Sequence, residues 1–163
     1  MSMTFAQVRS SEHSLFSIGA LAGLMGGVAE VLWVSFYQEL SGAGSAVVAR
    51  GVTQSVLPDL AGSPLSVPLG IAIHMSLAVA LGIAVALLAR RILPRLAGTA
   101  FEPLVVVSAL AAVWAVNFLL ILPVINPGFV TLMPMAATLT SKVLFGFAAA
   151  LVLAFFNRGR QAR

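Results

Sequence analysis

The chain has no cysteine. That absence removes disulfides, thiolate metal sites and thiol catalysis together. Charge is nearly as scarce: Asp, Glu, Lys and Arg make up 9% of the 163 residues, against about 25% in an ordinary soluble domain. Hydrophobic residues make up 60%, and the polar remainder is too small to cover them in a water-soluble globule. Acids are outnumbered, five against nine Lys and Arg, and the pI is about 11.2. The basic residues do not form a groove-like cluster with interleaved aromatics, which excludes nucleic acid as a partner. They stand at the ends of long apolar runs.

The first of those runs is Leu15 to Tyr37, apolar apart from two serines and one carboxylate, Glu30. At about 1.5 Å per residue it makes a helix ~34 Å long, enough to cross a hydrocarbon core of about 30 Å. It is much longer than a signal-peptide core and carries an acid, so it reads as an uncleaved span. Three further runs of spanning length follow at 67–88, 104–122 and 132–156. The expectation is an all-α fold, an integral membrane four-helix bundle forming one transmembrane domain over 1–163, with the lipid bilayer as its first partner.

The connections have their own signals. Residues 41–64 are rich in Gly, Ser and Pro and read as a loop, within which Val48, Val52 and Val56 recur every fourth residue; this fits either a short helix on the membrane surface over 45–57 or an irregular loop with scattered valines. Thr99 to Glu102 has capping-box spacing for the third span, and Pro123 with the turn Asn126-Pro127-Gly128 ends it. Trp33, Phe36 and Tyr37 have the composition of interfacial anchors. Arg9, then Arg90, Arg91 and Arg95, then Arg158, Arg160 and Arg163 fall on one side, leaving Arg50 on the other. The positive-inside rule then places both termini and the middle loop in the cytoplasm.

Each span carries one conspicuous polar group: Glu30, His74, Asn117 and Lys142. Counting helical rise from the basic ends places all four ~22–26 Å above the cytoplasmic edge, within about one turn of one another. Facing agrees with this convergence. Glu30 shares a stripe with Gly19, Gly23 and Gly26, His74 with Gly70 and Ala78, and Lys142 with Thr138, Gly146 and Ala149. A charge at the bilayer centre costs about 2.5–3.5 kcal/mol, so Glu30 and Lys142 are expected to pair, with His74 and Asn117 completing the hydrogen bonds and Trp114 walling the layer. The spacing Gly19, Gly23, Gly27 also suits close helix packing, and self-association is expected through it. Equal intervals from His74 to Arg90 and from Lys142 to Arg158 hint at a parallel duplication of a helical hairpin.

Several chemistries are disfavoured. Axial haem ligation needs His13 and His74, which this topology separates by ~25 Å. One His and one Glu leave a metal's coordination shell short. Ser141 and Lys142 are adjacent on a helix and point about 100° apart, which does not make a catalytic dyad, whereas Thr138 and Lys142 can meet. The expectation is therefore a protein without enzymatic activity, metal or other cofactor.

The run His74-x-Ser76 followed by Gly82, and Ser141-Lys142-Val-Leu-Phe-Gly146, resemble small four-span bacterial inner-membrane proteins of unassigned function. In several of those a histidine occupies the place of Lys142. Ala29-Glu30-Val31 also resembles the first-helix glutamate of small multidrug exporters, from which the long Ser41–Pro64 loop sets this chain apart. The functional expectation is the handling of protons or a small solute through the Glu30/His74/Asn117/Lys142 layer. The alternative is a non-transporting accessory or assembly subunit of a larger membrane complex.

Overall fold

Helix α1 (Phe5–Leu40) is the element on which the others are assembled. A computed structural model describes residues 5–92, 94–96 and 99–161, with backbone alone for 5–14 and 157–161. Arg163 and the side chains of Arg9, His13, Arg158 and Arg160, which entered the topology argument, lie outside what is described. After α1 come α2 (Ala46–Val56), α3 (Ser66–Ile92), α4 (Glu102–Val116), a π-helical turn (Asn117–Ile121), α5 (Leu122–Ile125) and α6 (Met135–Gln161). Among the described residues there is no strand. Among the described residues, four helical stretches are long and apolar enough to cross a membrane: Leu15–Leu40, Ser66–Ile92, Glu102–Ile125 and Met135–Phe156. The fold is that of a multi-pass, all-helical bundle.

Bare backbone determines how the bundle closes. A Cβ on Gly23 would collide with the Ala78 carbonyl oxygen, and one on Gly82 would collide with the Gly23 nitrogen. Those two glycines are therefore the crossing point of α1 and α3. Gly19 meets Ile83, and Gly27 meets Ala78. On the other side of α1, Gly26 receives the ring of Phe145 from α6, which is wholly buried. Gly146 in turn lets α6 approach Val107 of α4, next to the fully buried Val106 and Leu110. Small-on-large packing of this kind is how apolar helices associate where lipid is as apolar as leucine.

The self-association face expected from the glycine spacing is thus occupied within the chain. Gly19, Gly23 and Gly27 pack on α3, and Gly26 packs on α6. Spacing reports close approach; it does not distinguish a neighbour in the same chain from one in another.

The four spans pack in the lateral order α3, α1, α6, α4, and α3 and α4 barely touch. The ring is therefore open on one side. Helix α2 lies across one end of the bundle, seated on α3, where Gly70 accepts the Ala49 backbone and the Thr53 hydroxyl donates to the Ser66 carbonyl. Asn126 holds α2 from the far side: its amide donates to Ser55 Oγ at 2.9 Å and to the Gly51 carbonyl at 3.4 Å. Its side-chain oxygen accepts from the Phe129 amide at 3.2 Å. The chain enters α2 through Gly42 and Gly44, both at positive φ (75° and 84°), which fold it back so that the Gln38 carbonyl accepts from Ala43 and Gly44.

Two expected boundaries move. Thr99 does not cap α4. Its hydroxyl donates to the Leu96 carbonyl and accepts from the Phe101 amide, closing a preceding turn, and the helix starts at Glu102. Pro123 does not end the third span either. The π turn at Asn117–Ile121 widens the backbone just before the proline, and helix resumes through Ile125. Among apolar neighbours a freed carbonyl is expensive, so local re-registering is favoured over a break.

Candidate functional site

Glu30, on the inner side of α1, is 4% exposed. Lys142 reaches it from α6 and binds both carboxylate oxygens, with Nζ 2.9 Å from Oε1 and 2.9 Å from Oε2. The ammonium also lies 4.9 Å from the centroid of the Phe145 ring, close enough for a cation–π contribution. Packing that buries Phe145 against Gly26 therefore brings the next turn of α6, with Lys142, alongside Glu30. The pairing neutralises a charge that would otherwise be stranded among apolar side chains.

Ser141 joins the pair. Its hydroxyl stands 3.2 Å from Glu30 Oε1 and 2.8 Å from the Thr138 carbonyl. One hydroxyl proton serves one acceptor at a time, so Ser141 either supports the carboxylate or returns its proton to its own helix. Ser141 and Lys142, adjacent on α6, do not face each other. Two adjacent residues about 100° apart can nevertheless straddle a third group on a neighbouring helix, and the carboxylate of Glu30 sits between them.

His74 comes from α3. Its Nε2 is 3.8 Å from Glu30 Oε2, beyond hydrogen-bond distance, and this buried nitrogen has no hydrogen-bond partner among the described residues. The backbone of Gly27 lies against the ring. With the imidazole neutral and its proton on Nδ1, a bare lone pair on Nε2 faces a carboxylate oxygen. Two proton acceptors then face one another across 3.8 Å.

Asn117 stands apart from this cluster. It opens the π turn on the opposite wall, half-buried, and its amide has no hydrogen-bond partner among the described residues. The expected bond between Asn117 and the Glu30 pair is therefore not formed. Trp114, one turn before it, donates to Thr138 Oγ1 at 3.1 Å and stacks on Phe118. The Thr138 hydroxyl donates to the Met135 carbonyl at 2.9 Å, so it ties Trp114 to α6 and takes no part in the Lys142 contact. Trp33 donates to the Ala137 carbonyl at 3.0 Å, which makes it an interhelical tie as well as an aromatic at a helix end.

These groups share one cavity of about 800 Å³, within the range of small-molecule sites, roughly 300–1,000 Å³. Glu30, His74, Lys142 and Ser141 form part of its wall, Asn117 and Trp114 lie on another side, and Val48 and Val52 of α2 roof it. Most of the remaining lining is aliphatic. Because α3 and α4 do not close on each other, the cavity is a cleft open along the side of the bundle. Among the described residues no three His, Cys, Asp or Glu gather closely enough to hold a metal ion.

No family model, no curated protein and no solved structure matches the chain. The functional reading therefore stands on the site alone.

Proposed function

We propose that this chain is a small bacterial inner-membrane protein, with both termini cytoplasmic, that handles protons or a small solute at the Glu30/His74/Lys142 cluster. The observation that carries the reading is the buried Nε2 of His74, facing Glu30 Oε2 at 3.8 Å on the wall of a solute-sized cleft. One proton placed between those atoms converts two opposed acceptors into an ion pair. Lys142 balances Glu30 when that proton is absent, and Ser141 can turn its hydroxyl either way. Ionisable groups inside a membrane segment are functional candidates by default, since hydrogen bonding alone is a weak reason to retain a full charge there. No catalytic role is assigned to any residue. The resemblance to four-span inner-membrane proteins supports the location and supplies no activity.

Reconstituted vesicles loaded with a pH-sensitive dye test this. Wild type should dissipate an imposed pH gradient, alone or on addition of a solute, and Glu30→Gln should abolish the effect. An absence of flux in both proteins overturns the reading.

A second reading, an accessory subunit, is favoured by the Glu102–Ile125 span, whose most apolar window is only 11% buried against 39% for the first span. That surface can take a partner helix, either from a larger complex or from a second copy. Under this reading the chain co-purifies with a stoichiometric membrane partner and shows no flux.

A further inference from the structure

The mouth of the cleft is its most informative part. It is rimmed by Ile71 and Leu77 of α3 and by Val113 and Val116 of α4, all apolar and all exposed on the flank of spanning-length helices. A molecule crossing that rim comes from lipid, because at that depth the bundle's surroundings are hydrocarbon. The roof supports the same direction of entry. Helix α2 is held by Asn126, Thr53 and the Gly70 seat, which closes the end of the cleft while its side stays open.

The inner wall states what head group fits. Glu30 and Lys142 cancel, so the wall carries no net charge when His74 is neutral. Of the three ammonium protons of Lys142, two address the oxygens of Glu30, and no other acceptor is bonded among the described residues. The Asn117 amide, across the cleft, offers a donor and an acceptor that are also unengaged. The remaining titratable neighbour is His74, whose ring lines the cleft while its buried Nε2 is turned toward Glu30. An anionic or cationic head would bring an unmatched charge into this wall, whereas a hydroxyl or carbonyl satisfies the free donors without one.

We propose that the cleft binds a neutral amphiphile, with an apolar body and a hydroxyl or carbonyl head, which enters sideways from the bilayer between α3 and α4. The body lies against the aliphatic walls beneath α2, and the head sits between Asn117 and Lys142. This rests on the preceding reading only in treating cleft and polar cluster as one site.

The test uses the chain's own tryptophans. There are two, and of these Trp114 lines the cleft while Trp33 does not. A Trp33→Phe protein in lipid nanodiscs therefore reports the cleft through Trp114. The probes are a bromoalkyl alcohol and the carboxylate and amine of the same chain length. The alcohol should quench saturably, with half-saturation at a membrane mole fraction roughly tenfold lower than either charged probe. Ala112→Phe, which fills the cleft from α4, should abolish the saturable phase, and Val52→Phe from the roof should do the same. Asn117→Leu should remove the alcohol's advantage while leaving chain-dependent quenching in place. Quenching that rises linearly and equally in all four proteins, or a charged probe that outcompetes the alcohol, overturns the proposal. Saturable alcohol binding without vesicle flux sinks the carrier reading and leaves this inference standing; flux without saturable binding sinks the inference alone.

Discussion

The Glu30–Lys142 pair can be dissected by a double-mutant cycle in which each substitution keeps the shape of the side chain: Glu30→Gln, Lys142→Met and both together. The attraction is large before solvent is considered. Two unit charges 2.9 Å apart attract by about 6 kcal/mol at an effective dielectric near 20. Desolvation takes back several kcal/mol per ion, so the informative quantity is what happens when one partner is stranded. Glu30→Gln strands an ammonium whose side chain keeps 17% exposure at the cleft, and the expected loss is about 1.5 kcal/mol. Lys142→Met strands a carboxylate only 6% exposed, with Ser141 as its remaining donor, and the expected loss is about 3 kcal/mol. The double variant carries no charge to strand and should lose about 1 kcal/mol, which makes the coupling roughly 3.5 kcal/mol. Reversible unfolding in mixed micelles, followed by far-UV circular dichroism, measures all four proteins. Single losses that sum to the double within about 0.5 kcal/mol would mean that the two side chains share no interaction, and the account of the site would be wrong.

The remaining expectations use equally simple measurements. Gly23→Val should destabilise by about 2 kcal/mol or more, because its Cβ meets backbone that cannot turn aside, whereas Gly62→Ala, with nothing within 4 Å, should stay within about 0.5 kcal/mol in the same unfolding assay. Asn126→Ala removes the tie between α2 and the 126–134 loop; amide exchange should accelerate across 46–56 and stay unchanged in the middle of α1. Orientation is accessible because the chain has no cysteine to remove. An impermeant maleimide should label Gln54→Cys in intact cells and Thr99→Cys only after permeabilisation, and the reverse pattern would invert the topology.

Much of this architecture is legible in the sequence, and for definite reasons. Apolar runs of spanning length have few alternatives to helix. A lone acid on a glycine stripe has nowhere to face except another helix, and Glu30 does so. The valine repeat at Val48, Val52 and Val56 is compatible with a helix or a loop in sequence alone; it falls on α2, and those valines line the cleft. What escaped the sequence depends on contacts between distant segments. Ser141 reads as a helix residue beside Lys142 until the position of Glu30 is known. Asn126 reads as a turn former, yet its amide reaches residues more than seventy positions away. The π turn before Pro123 resolves a conflict between proline's missing donor and an apolar surrounding, and local rules state the conflict without its solution.

The cleft itself follows from where the small residues are placed. Helix α3 turns Gly82 and Ala78 toward α1 and Gly70 toward α2, while α6 turns Gly146 toward α4. Each of those seams is a bare patch receiving backbone or a large side chain. At the mouth of the cleft, between α3 and α4, stand Ile71, Leu77, Val113 and Val116, bulky on both sides. Two bulky faces gain little by touching when lipid solvates them equally well. The ring of helices therefore stays open where no glycine invites closure, and that gap leaves Lys142 and Asn117 in reach of whatever diffuses in the bilayer. Placing Gly at Leu77 and at Val113 should draw α3 and α4 together, shrink the cleft and abolish saturable quenching of Trp114 without touching a polar residue. If quenching survives while a crosslink between the two helices forms in full, the opening is not the route to the site.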